Sequence, residues 1–154
     1  MTGNRLIGLA LGLAVGLAVY FFWPKPKHTP EEEVRALVAK AVDAAQRRDA
    51  AGVTEALAED FRGPQASSKQ EVKQLVLGHL MRNRDAVVVL NPVLHVTVES
   101  PDKASFQGTF IFARAPVADW QNPAPGDGAS RYDIGATVER RDGEWVITTA
   151  TWER

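Results

Sequence analysis

The chain has 154 residues, 45% of them hydrophobic and 24% charged, which describes one globular domain with a short extra segment. Its formal net charge of −1 lacks the basic surplus of a nucleic-acid binder, so Arg47-Arg48 and Arg140-Arg141 read as solvated surface pairs. The absence of cysteine excludes disulfides, thiolate metal sites, a cysteine nucleophile and a lipidated cysteine.

Residues 1–5 form a short tail. Residues 6–23, Leu6 to Trp23, then carry no charge. As a helix this run spans about 27 Å, just enough to cross the hydrocarbon core of a bilayer. Tyr20, Phe21, Phe22 and Trp23 end it with an aromatic belt, and Pro24, Lys25, Pro26 and Lys27 open a polar linker, residues 24–29. A cleaved export signal is the rival reading, with a weak small-residue site at Gly16-Leu17-Ala18. Cleavage there leaves a Val-Tyr-Phe-Phe-Trp start, so a single-pass anchor in the inner (cytoplasmic) membrane is expected, with residues 30–154 on the extracytoplasmic side. Gly8, Gly12 and Gly16 recur every four residues, a spacing that lets two membrane helices approach closely.

Thr29-Pro30-Glu31-Glu32 is a capping box with proline in the first helical position. Val34, Leu37, Val38, Ala41, Val42 and Ala45 follow at helical spacing, which predicts a helix ending near Arg47-Arg48. A second, shorter helix is expected from Ala50 to Ala58, with Arg62 to Gln65 as a strand stub or turn. Ser68-Lys69-Gln70-Glu71 caps a third helix whose apolar stripe is Val72, Leu75, Val76, His79 and Leu80, closing near Asn83.

The period then changes to two. "AVVVLNPVLHVTVES" predicts a strand in which Pro92 needs an edge or a bulge. After a turn at Ser100 to Lys103, "ASFQGTFIFARA" puts Phe106, Gly108, Phe110 and Phe112 on one face. The long connection from Pro116 to Ser130 carries Trp120 and is a candidate lid. "RYDIGATVERRDGEWVITTATWER" predicts a hairpin turning at Arg141-Asp142-Gly143. Tyr132, Ile134, Ala136 and Val138 share one face of its first arm. On the second arm, Trp145, Ile147, Thr149 and Thr151 oppose Val146, Thr148, Ala150 and Trp152.

This order of elements, carried by "VAKAVDAAQRRDAAGVTEALAEDFRG", "SKQEVKQLVLGHL" and "DGEWVITTATWER", resembles the nuclear-transport-factor-2-like superfamily, which includes SnoaL-like and ketosteroid-isomerase-like proteins. The resemblance implies an α+β cone: three N-terminal helices packed on a curved antiparallel sheet around an apolar cavity. It also implies roles from enzyme to ligand binder, dimerisation module or membrane-tethered assembly part. Fold alone does not choose among these.

The chemistry of an isomerase-like member needs a carboxylate base and an oxyanion-stabilising acid in a dry pocket. Asp133 and Glu99 fall on polar strand faces, and Asp60 reads as a cap or turn residue at the end of the second helix, so no catalytic residue is assigned. His79, inside an apolar stripe, is a candidate cavity residue; so are Phe106, Phe110, Phe112, Tyr132 and Trp152. His28, His79 and His95 have no metal-ligand spacing, and neither a metal nor a cofactor is expected. The sequence therefore points to a membrane-anchored, non-catalytic domain. Its expected partners are the bilayer, an envelope protein or a second copy, and a small apolar ligand. A small isomerase, cyclase or dehydratase using the same cavity is the alternative.

Overall fold

The computed structural model describes residues 27–82, 88–115, 117–119, 121–122 and 128–154. The expected anchor over 6–23 with Gly8, Gly12 and Gly16, and the lid residue Trp120, lie outside these described residues.

Helix α1 (Pro30–Gln46) begins as its sequence dictates. The Thr29 side chain accepts from the Glu32 backbone N–H at 3.3 Å, and the Thr29 N–H donates to the Glu32 carboxylate at 3.0 Å. The helix buries Val34 and Val38 on one stripe. It ends where Arg48 takes a left-handed φ of 61°, and the chain turns at once into α2 (Ala50–Glu55), which is capped by Asp49 accepting from the Gly52 N–H at 2.9 Å.

Helix α2 is shorter than expected. Leu57 to Arg62 form strand β1, so Asp60 belongs to a strand and not to a helix end. The reason lies in the partner: β1 lies parallel to β5 (Glu144–Glu153), with Leu57 opposite Ile147 and the Ile147 N–H bonded to the Ala56 carbonyl at 2.8 Å. Leu57, Ala58 and Phe61 are buried while Glu59 and Asp60 stay exposed. Tertiary pairing thus overrides the local helical tendency of an Ala/Glu-rich segment.

Strands β2 (Val88–Ser100), β3 (Lys103–Ala113) and β4 (Ser130–Arg141) complete a five-stranded sheet in the order β1-β5-β4-β3-β2. The sheet is mixed rather than purely antiparallel, because β1 adds to it in parallel. The third helix, α3 (Lys69–Arg82), follows β1 instead of preceding the whole sheet. Its stripe is not buried: α3 has no buried residue, Leu75 is 49% exposed, and His79 is exposed as well.

Of the sheet's register shifts, two shape its faces. In β2, Asn91 and Pro92 together oppose one residue of β3, and the Asn91 side-chain amide donates to the carbonyls of Val93 and Thr109 at 3.0 and 2.9 Å. Pro92 has no N–H to donate, so a bulge on an edge strand is where it fits. In β5, Thr149 pairs with Thr137 but Ile147 pairs with Val138, leaving Thr148 as an extra residue. That insertion shifts the alternation by one, so Trp145 and Ile147 share a face with Ala150 and Trp152, correcting the opposed faces read from strict alternation. The β4–β5 turn places Asp142 (φ 52°) and Gly143 (φ 83°) both in the left-handed region, as a tight hairpin requires.

Val34 and Val38 of α1 press onto Ala104, Phe106, Phe110, Ala136, Val138 and Trp145 of the sheet, and these eight residues form the central cluster of the core. One polar clamp fixes the helix at its first turn. The Trp145 indole N–H donates to Glu33 Oε2 at 2.6 Å, the Arg140 guanidinium pairs with the same oxygen, and Arg140 lies 4.9 Å from the Trp145 ring centre. Arg140 also reaches Asp102 in the β2–β3 turn at 3.4 Å, and its backbone N–H donates to the Asp102 carbonyl at 2.8 Å.

Two outcomes follow from this packing. Phe106→Ala should cost about 3–5 kcal/mol of unfolding free energy in urea titrations, the range for a large aromatic removed from a packed core. The Trp145 hydrogen bond, reinforced by Arg140, holds the Glu33 carboxyl below its ordinary value of 4.5. A carboxyl lowered on folding stabilises the native state above its unfolded pKa, and that contribution is lost as pH falls through the lowered folded value. Glu33→Gln should therefore lower Tm at pH 7, and the gap to the parent should narrow as pH drops below about 4.5. A gap of constant size down to pH 3 would remove the carboxylate from the account.

Candidate functional site

The sequence candidates separate into distinct places. Phe106 and Phe110 fill the interior against Val34 and Val38 rather than lining an empty space. Phe112 is half-buried and meets Tyr132 edge-on, with ring centres 5.6 Å apart at 80°. The half-buried Trp152 lies against β1, where a Cβ added to Gly63 would come within 3.2 Å of its ring and 3.1 Å of Phe61. His79 sits on the exposed side of α3, remote in character from a dry pocket. The structure thus brings Phe106 and Phe110 together in the core with Phe112 and Tyr132 beside them, and Trp152 shares that face through its partner Ile134, whereas His79 is exposed on α3.

Among the described residues, no acid–base constellation enters the interior. Among the described residues, the buried polar side chains are Thr54, Thr109 and Thr148. Asp133 is exposed on the outer face of the sheet, where it accepts from the Thr109 hydroxyl at 2.7 Å with Arg131 at 3.4 Å. The Thr109 hydrogen bond, assisted by Arg131, keeps its carboxyl below the ordinary range. Asp60 is likewise held low by the Arg141 side chain that bonds to it. Glu99 is exposed and pairs with Lys103 at 3.3 Å, and His95 is exposed on the same strand. Among the described residues, no group of three or more His, Asp or Glu side chains is placed to hold a metal ion.

The open space lies elsewhere. A groove of about 310 Å³ runs between α1 and β2. Val38, Ala39, Val42 and Leu94 give it an apolar floor, and Arg35, Asp43, Gln46 and Asn91 give it a polar rim. Arg35 is held across it, donating to the Glu31 carboxylate at 2.9 Å and to the Leu94 carbonyl at 3.0 Å. Asp43 is tied to Arg47 at 2.9 Å. Asn91 is positioned by the β2 bulge. Sequence reasoning placed Val38 and Val42 on the α1 stripe but did not find the groove. The missing signal is tertiary: Leu94 and the bulge reach this edge of α1 only after β2 has paired with β3.

A second depression, of about 340 Å³, lies on the opposite face of the sheet across β2 to β5. Two rows of paired residues form it: Val93, Thr109, Asp133 and Glu153, then His95, Gln107, Gly135 and Thr151. Gly135 contributes no side chain to the second row. Gly108 faces inward, where a Cβ would meet Phe110 at 3.0 Å and Leu94 at 3.1 Å, so it makes room for the core.

No family model matches the sequence, and no curated protein matches it either. Solved structures do. A nuclear-transport-factor-2-like protein of unknown function from Pseudomonas putida superposes with a TM-score of 0.64 at 18% identity, over 79% of this chain and 83% of that one. A nuclear-transport-factor-2-like protein with a cystatin-like fold from Novosphingobium aromaticivorans gives 0.65 at 20% identity, over 91% and 86%. A cystatin-like protein of unknown function from Nostoc punctiforme gives 0.64 at 15% identity, over 82% and 93%. With three helices and a curved mixed sheet among the described residues, and with these neighbours, the chain has the cystatin-like cone fold of nuclear-transport-factor-2-like proteins.

Proposed function

We propose that this chain is a membrane-tethered binding module. In this reading residues 6–23 cross the inner membrane once, and residues 24–29 are a short linker. The cone domain, residues 30–154, then works on the extracytoplasmic side without catalysis. It takes a small apolar ligand in the groove between α1 and β2.

One observation carries the ligand reading. The interior under α1 is filled by Val34, Val38, Phe106, Phe110 and Trp145, while the adjoining open space has an apolar floor and a polar rim. An apolar floor beside a few polar groups suits a small ligand, and about 310 Å³ lies at the lower end of the usual range of about 300–1,000 Å³. Turnover in a cone needs an ionisable pair within reach of one ligand atom in a water-poor cavity. The carboxylates of Asp60, Glu99 and Asp133 point to solvent and to surface cations instead. The tether reading rests on the uncharged run from Leu6 to Trp23 and its aromatic end.

Two measurements test the two halves separately. The full chain should stay in the membrane pellet after alkaline extraction. Leu13→Arg should release it, since a charge at mid-bilayer costs about 2.5–3.5 kcal/mol on insertion scales. Recovery of a soluble chain that begins beyond Ala18 would sink the anchor. For the groove, native mass spectrometry of the detergent-solubilised chain should show added mass from co-purified apolar molecules. Ala39→Trp, an exposed position that lines the groove, should strip it, while Ala51→Trp on α2 should not. Equal retention in both variants would end the groove assignment.

A further inference from the structure

Strand β2 is an edge of the sheet, with β3 as its strand neighbour on one side only. Which of its backbone groups are left over follows from alternation, since successive residues of an antiparallel strand turn their N–H and C=O groups toward the partner and away from it. The Arg140 N–H donates to the Asp102 carbonyl at 2.8 Å, so Arg140, and by alternation Val138, Ala136 and Ile134, turn toward β3. Their partners Ala104, Phe106 and Gly108 turn toward β4, which leaves Ser105 and Gln107 to turn toward β2. There they meet Thr97 and His95. The backbone groups of Leu94, Val96 and Val98 therefore lie on the free edge. The Arg35 guanidinium agrees with this assignment, reaching the Leu94 carbonyl from outside the sheet at 3.0 Å.

One half of this edge is closed and the other is open. Up to Leu94 it is blunted by the Asn91 bulge, by Pro92 without an N–H, and by Arg35 on the Leu94 carbonyl. Beyond Leu94, among the described residues, no hydrogen bond reaches the outward groups of Val96 and Val98. Val98 is 42% exposed, and Thr97, Glu99 and Ser100 are exposed with it. This open half is complementary to itself. Two copies set antiparallel about a two-fold axis at Thr97 bring Val96 opposite Val98 of the second copy and His95 opposite its Glu99, and the symmetry repeats both pairs. The outward backbone groups of Val96 then meet those of Val98, and Thr97 faces its own equivalent. Moving the axis to Val96 or Val98 keeps the backbone ladder but loses both His95–Glu99 pairs. His95 has no side-chain partner among the described residues. The Glu99 pair with Lys103 uses Oε2, at 3.3 Å, and leaves Oε1 to accept from an imidazole N–H.

We infer that two copies of this chain pair edge to edge along β2, antiparallel about Thr97, so that one sheet runs through both. Main-chain hydrogen bonds supply the attraction, and the His95–Glu99 pairs select the register. The contact is short and buries less than the roughly 1,200 Å² of a stable complex, so the pairing is reversible and a covalent trap reads it better than a size measurement.

The chain has no cysteine, so a single introduced cysteine can form a disulfide only with a second copy. The full chain carrying Thr97→Cys, in non-ionic detergent with copper–phenanthroline as oxidant, should cross-link readily. Residues opposed without mutual hydrogen bonds lie about 4.5 Å apart between Cα atoms, within the span of a disulfide. His95→Cys sits two residues off the axis and would meet its equivalent only at about 13 Å, so it should cross-link about tenfold or more slowly. Ala51→Cys, exposed on α2, gives the rate of random collision and should be as slow. Added to Thr97→Cys, Val98→Pro removes an N–H that only a second copy would use, and should bring the rate down to that of Ala51→Cys while unfolding stays cooperative. Glu99→Lys, which leaves the backbone alone, should slow the Thr97→Cys cross-link about fivefold, and His95→Glu added to it should restore the rate. Equal rates at positions 97, 95 and 51 would overturn the pairing. So would a Thr97→Cys rate that neither Val98→Pro nor Glu99→Lys changes.

Discussion

Helix α1 has to lie on the sheet, and the rest of the molecule is arranged around that contact. Val34 and Val38 are almost completely removed from solvent, at 0% and 4% exposure, and the surface that removes them is the aromatic face of β3 with Val138 and Trp145. Burial of apolar area is the main favourable term available to a domain of this size. It has no direction of its own, and a helix could slide along a greasy face at little cost. The Glu33 carboxylate supplies the missing direction. By accepting from Trp145 and pairing with Arg140 it ties the first turn of α1 to the β4–β5 hairpin, and Arg140 carries the tie on to the β2–β3 turn through Asp102. A half-buried, charge-assisted contact of this kind adds register to a contact that hydrophobicity supplies with energy.

The two bulges follow from the same requirement. A strand that alternated strictly along its whole length would turn either Trp145 and Ile147 or Ala150 and Trp152 away from α1. Inserting Thr148 puts all four on the helix side. The cost is one buried hydroxyl, met by the Thr137 carbonyl at 3.3 Å. At the other edge, Asn91 closes the β2 bulge with its own side chain and leaves Leu94 at the floor of the groove beside α1. That groove is therefore a product of the bulge and the helix together.

What the sequence discloses and what it conceals divide along this line. Local chemistry is legible: the Thr29 capping box, the stripe of Val34 and Val38, the Asp142-Gly143 turn and the even-numbered phenylalanines of β3 all appear where their residue types require. Features decided by distant partners are not. Ala56 to Phe61 satisfies a helix or a strand, and only β5 decides between them. The α3 stripe is real as a period, but a period says nothing of whether another element covers it, and Leu75 and His79 stay exposed. Thr148 hides because alternation assumes an unbroken register. Aromatic type alone does not distinguish a side chain that borders a space from one that fills it, as Phe106 does.

That last distinction bears on how the fold is used. In a cone the inner face can be kept hollow for chemistry or packed for stability, and the same area cannot serve both ends. Here Phe106, Phe110 and Trp145 spend the inner face on cohesion. The open space that remains lies where packing is already complete: at the seam between α1 and β2, and on the outer sheet face. The outer face is free to carry Asp133, Glu153, Gln107 and Thr151 because period-two alternation decouples it from the core, one strand supplying Phe106 to one side and Gln107 to the other. A substitution among those outer residues therefore leaves α1 seated, which is the freedom a single-layer sheet gives a small domain.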